Sequence, residues 1–285
     1  MATVTPLRYP GGKSKTYSYI KELIQSNNCT TYIEPYAGGA GVAISLLLNN
    51  DVDRIMINDF DKSIYAFWYS VLYETENLID LIEQTEISID EWYKQKEIQK
   101  NKTATNNLLK LGFSTLFLNR TNRSGIIKAG VIGGKEQSGK YRMDCRFNKK
   151  DICRRILAIA KYKNKIKLYN LDAEIFVKHT VTHTKNSFTF FDPPYYKQGP
   201  NLYTNFYNRD SHVSLANTIK KHMKTKKWIL TYDVNDEIYD LYKSFDMTEY
   251  YLNYSISTPS KGLEYLFYSP NLQKGYIQNH LQIKK

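Results

Sequence analysis

Thr31-Tyr32-Ile33-Glu34-Pro35-Tyr36 leads into Ala37-Gly38-Gly39-Ala40-Gly41 and then into the apolar run Val42 to Leu48. Read in order, this is a strand, a glycine turn and a helix. The glycines let a ligand approach the backbone closely, and the helix N-terminus behind them offers unpaired N–H groups. Further along, Arg54-Ile55-Met56-Ile57-Asn58 reads as a second strand ending at Asp59, and Lys62 to Leu72 as a second helix, so the chain opens as a parallel βαβ unit. Two more strands follow at a distance: Ser187 to Phe191, ending in Asp192, and Lys227 to Tyr232, ending in Asp233. Acidic residues therefore recur at the carboxyl ends of strands, where open α/β sheets bind ligands. Glu34 and Asp192 stand too far apart for a few βα units of about 30 residues each, so a second domain is expected between them. The spacing predicts an α/β fold with a mostly parallel sheet, built from residues 1–75 and 161–285, and an inserted domain over residues 76–160.

Composition narrows the function. The chain has 285 residues, 42% hydrophobic, with a mean hydropathy of −0.53. No stretch of about 18 uncharged apolar residues is present, which predicts a soluble intracellular protein without a membrane span. Cys29, Cys145 and Cys153 form an odd set without CxxC spacing, which argues against a disulfide framework and a structural zinc site. None of them follows a proline, as the thiolate of a cytosine carbon-5 methylase commonly does. The net charge is +12, and the segment Asn119 to Lys167, with 15 basic and 3 acidic residues, carries all of it. Six of the nine arginines lie there: Arg120, Arg123, Arg142, Arg146, Arg154 and Arg155. Arginine suits bidentate contact with phosphate and guanine, so a polyanion site is expected rather than a merely solvated basic face.

Three motifs carry chemistry. The turn after Glu34 fails the G-x-G-x-x-G spacing, since Ile44 stands where the third glycine would be, but Asp59 is placed to accept from ribose hydroxyls. Its competing role is an N-cap for the helix near Lys62. Leu7-Arg8-Tyr9-Pro10-Gly11-Gly12-Lys13 is not a P-loop, because Leu7 occupies the position of the first glycine; a turn presenting Lys13 to an anion remains open. Asp192-Pro193-Pro194-Tyr195 is the most specific. Its prolines remove two donors, leaving the Asp192 carboxylate and the Pro193 carbonyl as acceptors beside an aromatic ring. Two acceptors can take both hydrogens of a planar exocyclic amine and free its lone pair, while Tyr195 stacks on the base.

In order along the chain, Arg8-Tyr9-Pro10-Gly11-Gly12-Lys13, Glu34-Pro35-Tyr36-Ala37-Gly38-Gly39, Asn58-Asp59, Asn119-Arg120 and Asp192-Pro193-Pro194-Tyr195 resemble the Dam-like, D12-class DNA adenine-N6 methyltransferases, in the α arrangement of amino-methyltransferases. The resemblance implies a Rossmann-like fold dependent on S-adenosylmethionine, with a helical and hairpin DNA-recognition insertion. It implies that Tyr9 and Lys13 contact the cofactor, Lys13 at its carboxylate. Glu34, Pro35, Tyr36 and Gly38 would border its methionine end, Asp59 its ribose and Asp172 its adenine. Asp192 would lie between cofactor and base, with Pro193, Pro194 and Tyr195 completing the catalytic set. Arg8, Asn119, Arg120 and Arg123 fall at DNA contacts, to which the charge pattern adds Lys128, Arg142 and Arg146. Cytosine-N4 methylation satisfies the same chemistry, and a non-catalytic DNA-binding protein on this scaffold is the rival of another class. The expected partner is double-stranded DNA, with a restriction endonuclease left open. No metal is called for, and a monomer or weak dimer in the cytoplasm, at the nucleoid, is expected.

Overall fold

The computed structural model describes residues 4–8, 13, 16–196, 207–254 and 260–284. It divides into two compact units, Lys13–Phe60 with Lys165–Lys285, and Met1–Gly12 with Asp61–Asn164.

The larger unit is built on an eight-stranded sheet of β1 (Thr31–Glu34), β2 (Arg54–Asn58), β3 (Ile166–Tyr169), β4 (Ser187–Phe191), β5 (Lys227–Asp233), β6 (Met247–Tyr254), β7 (Ser260–Tyr268) and β8 (Gln282–Ile283). Their order across the sheet is β3-β2-β1-β4-β5-β7-β6-β8. The first five run parallel, and β7, β6 and β8 are antiparallel to their neighbours. Every residue of β1 and β4 is buried, as expected of strands covered on both faces. From β1 the chain winds toward β2 and β3 on one side and toward β4 and β5 on the other. The carboxyl ends of β1 and β4 are therefore a topological switch point. This unit also holds helices α1 (Tyr17–Ser26) and α2 (Gly41–Leu48).

The smaller unit contains α3 (Lys62–Tyr73), α4 (Thr75–Gln84), α5 (Ile89–Lys100), α6 (Leu108–Thr121) and α7 (Lys149–Ala160). Helix α6 is buried without a break from Leu111 to Thr121, so it is the core of the unit rather than an amphipathic surface helix. At Gly112 it meets α3 so closely that an added Cβ would lie 2.3 Å from Ser70 Oγ and 2.5 Å from the Ala66 carbonyl. That packing gathers α3 into this unit, which resumes at Asp61. After α6 the chain makes an isolated bridge, Asn122 to Val131, and 3-10 turns at Arg123–Gly125 and Met143–Arg146. Left-handed backbone at Ser124, Gly125, Gly133, Gly134 and Gln137 interrupts any longer ladder.

With β3 the chain is back in the larger unit, whose helices after it are α8 (Ala173–His179), α9 (Arg209–His222) and α10 (Asp236–Tyr242).

Candidate active site

At the end of β1 the backbone turns through Gly38 and Ala40, both left-handed, at φ 46° and 45°. Asn58, fully buried at the end of β2, fixes this turn. Its amide donates to the Pro35 and Leu171 carbonyls, each at 3.0 Å, and its oxygen accepts from the Leu171 N–H at 2.9 Å. One side chain thus ties the turn after β1, the end of β2 and the loop after β3. Next to it Asp59 accepts from the Gly38 N–H at 2.8 Å. The cap of α3 is Asp61, accepting from the Ser63 N–H at 2.9 Å, so Asp59 is not used for capping. Asp172 is: its Oδ1 accepts from the N–H groups of Glu174 and Ile175 at 2.9 and 3.2 Å at the start of α8.

Glu34 turns into the protein, 6% exposed, and accepts from Tyr32 Oη at 3.0 Å and the Ala43 N–H at 3.2 Å. Burial, reinforced by the negative Asp192, pushes its carboxyl up to about 8. Pro35 is buried, and the Tyr36 hydroxyl lies 2.8 Å from that of Tyr207. Tyr9 falls outside the described residues.

Asp192 follows β4 with its side chain 24% exposed, Pro193 is buried and Pro194 half-buried. Its Oδ1 lies 3.2 Å from Lys13 Nζ, and the same ammonium is 3.2 Å from Glu264 Oε1, on β7. Lys13 also bonds the Tyr195 hydroxyl and stands 4.7 Å over its ring. Tyr195 in turn donates to Glu264 Oε1 at 2.6 Å and is 5% exposed. The Lys13 ammonium thus lies among Asp192, Glu264 and Tyr195, whereas the resemblance points this ammonium at the cofactor's carboxylate. Burial alone would lower the lysine's pKa; the two carboxylates outweigh it and raise it. Burial pushes Asp192 up to about 6 despite the ammonium. Sequence reading missed Glu264, although the lone carboxylate in the apolar run Leu263-Glu264-Tyr265-Leu266-Phe267 is a signal of a buried, partnered charge.

In the smaller unit the basic residues sort into two sets. Asn119 is 2% exposed and clamps backbone: Oδ1 accepts from the Arg8 N–H at 2.7 Å, and Nδ2 donates to the carbonyls of Arg8 and Gly125 at 2.7 and 2.8 Å. Arg120 is 8% exposed, and its guanidinium donates to the Pro6 carbonyl from Nε at 2.7 Å and again from Nη2. Both residues, expected at DNA, are committed to holding the N-terminal segment, because a buried guanidinium and amide must satisfy their donors internally. Arg155 does likewise, pairing with Asp151 at 2.6 Å and donating to the Thr5 carbonyl at 3.1 Å. Arg123, Lys128, Arg142 and Arg146 are all exposed. Arg8 is half-buried, with Nη1 lacking a hydrogen-bond partner among the described residues, and both burial and the nearby Arg146 lower its pKa. Gly125 allows this packing, since a Cβ there would lie 2.4 Å from the Arg8 carbonyl.

Past the ends of β1 and β2 lie the Asp59 carboxylate, bonded to the Gly38 N–H, the left-handed Gly38 turn, and Phe60, 60% exposed. Among the described residues no group of three or more His, Cys, Asp or Glu is placed to hold a metal ion, and no helix is long and apolar enough to cross a membrane.

Comparison with known proteins bears on the chemistry of this site. The chain is 25% identical over 263 residues to the Type II methyltransferase M.MjaIII of Methanocaldococcus jannaschii, covering 85% of this chain and 88% of that protein. It is 23% identical over 254 residues to the Type II methyltransferase M.CviBI of Paramecium bursaria Chlorella virus NC1A, covering 87% and 90%. Residues 9–256 match the family model of the D12 class N6 adenine-specific DNA methyltransferases, and the chain belongs to that family.

Proposed function

We propose that this adenine-specific DNA methyltransferase takes its methyl group from S-adenosylmethionine and acts through Asp192, Pro193, Pro194 and Tyr195. The observation that carries the reading is the position of Asp192, a partly exposed carboxylate at the switch point of the sheet, with its charge partner buried behind it. Asp59 and Phe60, with the Gly38 turn and Tyr36, would hold the cofactor. When bound, it supplies a methyl group on a sulfonium sulfur that leaves with the electron pair of the broken bond. The protein's part is alignment. Asp192 and the Pro193 carbonyl accept the two hydrogens of the amine, so that its lone pair points at the methyl carbon. Asp192, titrating at about 6, is then the nearest acceptor for the proton that the methylated nitrogen sheds.

The target amine is hidden in duplex DNA, so the adenine must flip out at a cost of a few kcal/mol. The smaller unit would read the duplex. Arg8, Arg123, Lys128, Arg142 and Arg146 are its DNA-facing set, with Arg123 the candidate for reading a base edge. The names of the two relatives support a restriction–modification setting; a partner endonuclease and a monomer or weak dimer working on cytoplasmic DNA complete the reading.

Asp192→Ala tests the reading. Methyl transfer should fall at least about a hundredfold while the variant stays folded. Near-normal turnover would remove Asp192 from the chemistry. Long-read sequencing of DNA treated with wild-type protein should show N6-methyladenine in one short motif.

A further inference from the structure

Glu264 lies in the middle of β7, opposite Asp233 of β5 and Tyr250 of β6, with its side chain 1% exposed. Its Oε1 takes the Tyr195 hydroxyl and the Lys13 ammonium, while Oε2 accepts from Thr231 Oγ1 at 2.9 Å and from the Tyr250 hydroxyl. A carboxylate this deep is tolerated only with a counter-charge and several donors, and here both are supplied. The counter-charge is shared. One ammonium stands 3.2 Å from a sealed carboxylate and 3.2 Å from the Asp192 carboxylate, which reaches the surface.

We propose that Glu264 is a positioning residue for methyl transfer: it anchors the Lys13 ammonium and the Tyr195 hydroxyl on the buried side of Asp192, which keeps Asp192 from closing an exclusive ion pair and leaves it a strong acceptor for the target amine. The proposal rests on the reading of Asp192 given above. A carboxylate fully neutralised by its own lysine is a poorer acceptor, and a second carboxylate competing for the same cation restores its basicity. The groups facing Asp192 are Lys13, Glu34 and Tyr32 on and before β1, Tyr195 after β4, Tyr232 on β5, Tyr250 on β6 and Glu264 on β7. Tyr32, Tyr232 and Tyr250 have raised pKa values and stay neutral, and Glu34, at about 8, is largely neutral below pH 7. Below neutrality the charge balance is therefore set by Asp192, Glu264 and Lys13.

The test is the pH dependence of single-turnover methyl transfer to duplex DNA in wild type, Glu264→Gln, Glu264→Asp and Asp192→Asn. Glutamine keeps the shape and removes the charge; aspartate keeps the charge and shortens the reach. In Glu264→Gln the plateau rate should drop about tenfold and the acid limb should move down by about one pH unit, because Lys13 then neutralises Asp192 alone. Glu264→Asp should return the limb toward its wild-type position. Cofactor and DNA affinity should stay within about threefold in both. Where melting shows that Glu264→Gln does not fold, Tyr250→Phe replaces it. Removing one donor to Glu264 makes that carboxylate easier to protonate, and the limb should move the same way by less. A limb that stays in place across these variants overturns the proposal, and so does an equal displacement in the Gln and Asp variants. Asp192→Asn separates the two readings. If it keeps wild-type turnover, the assignment of Asp192 fails and takes this proposal with it; if it is inactive while the limb is unmoved by changes at Glu264, only Glu264 is excluded.

Discussion

Replacing Glu34 by glutamine should flatten the pH dependence of stability. The side chain is 6% exposed, its carboxyl is raised from 4.5 to about 8, and the main cause is burial. Glutamine keeps the size and an oxygen for the Ala43 N–H and the Tyr32 hydroxyl, but carries no charge. The folded state holds its proton on Glu34 up to about pH 8, whereas the unfolded chain releases it near 4.5. Between those values the folded state binds more protons, so stability falls as pH rises through that window and is constant above it. Three to four pH units at about 1.4 kcal/mol each put the full loss at about 4 kcal/mol between pH 5 and pH 9. Urea denaturation of wild type and Glu34→Gln across that range measures it. The variant should be the more stable by about that amount at pH 9 relative to their difference at pH 5. Parallel stability curves would show that Glu34 is ionised in the folded protein, and the assignment of a neutral buried carboxyl beside Asp192 would fall.

Asp59→Ala should weaken S-adenosylmethionine binding by about 1.5–3 kcal/mol, read by calorimetry, while the affinity for DNA is unchanged. Neutralising Arg123, Arg142 and Arg146 together should reduce the slope of log affinity against log salt by up to about 0.9 for each phosphate these side chains neutralise, and an unaltered slope would mean that they face solvent. Arg120→Ala, by contrast, should lower the melting temperature more than it alters the methylation motif, since it exposes or orphans the Pro6 carbonyl that the guanidinium serves. Gly112→Ala should destabilise the smaller unit by about 1–3 kcal/mol through overpacking against Ser70 and Ala66, and an unchanged melting point would contradict the close approach of α3 and α6.

Local pattern is enough for the elements that make the α/β sheet. Strand β2 begins at Arg54 and ends at Asn58, and β4 begins at Ser187 and ends at Phe191, where apolar runs and flanking acids place them. Strands buried on both faces write themselves as unbroken apolar runs, and the tetrapeptide after β4 is legible because two prolines in a row admit few backbone paths. The charge of the segment Asn119 to Lys167 is equally plain, because net charge needs no coordinates. What sequence cannot decide is the direction in which each polar side chain turns. Arg120 and Arg123 are three residues apart in one polar stretch, yet the first is buried against Pro6 and the second is exposed. By pattern Asp59 suits a helix cap as well as a ribose, and in the fold the cap of α3 is Asp61, bonded to the Ser63 N–H. Glu264 stands far along the chain from both Lys13 and Asp192, and only the antiparallel pairing of β7 with β5 brings its carboxylate to their shared ammonium. Short-range pattern settles which segments become strands and helices because backbone hydrogen bonding and side-chain alternation are local. Partners for buried charge are chosen by what the closed fold leaves within about 3 Å, which is a property of the tertiary structure alone.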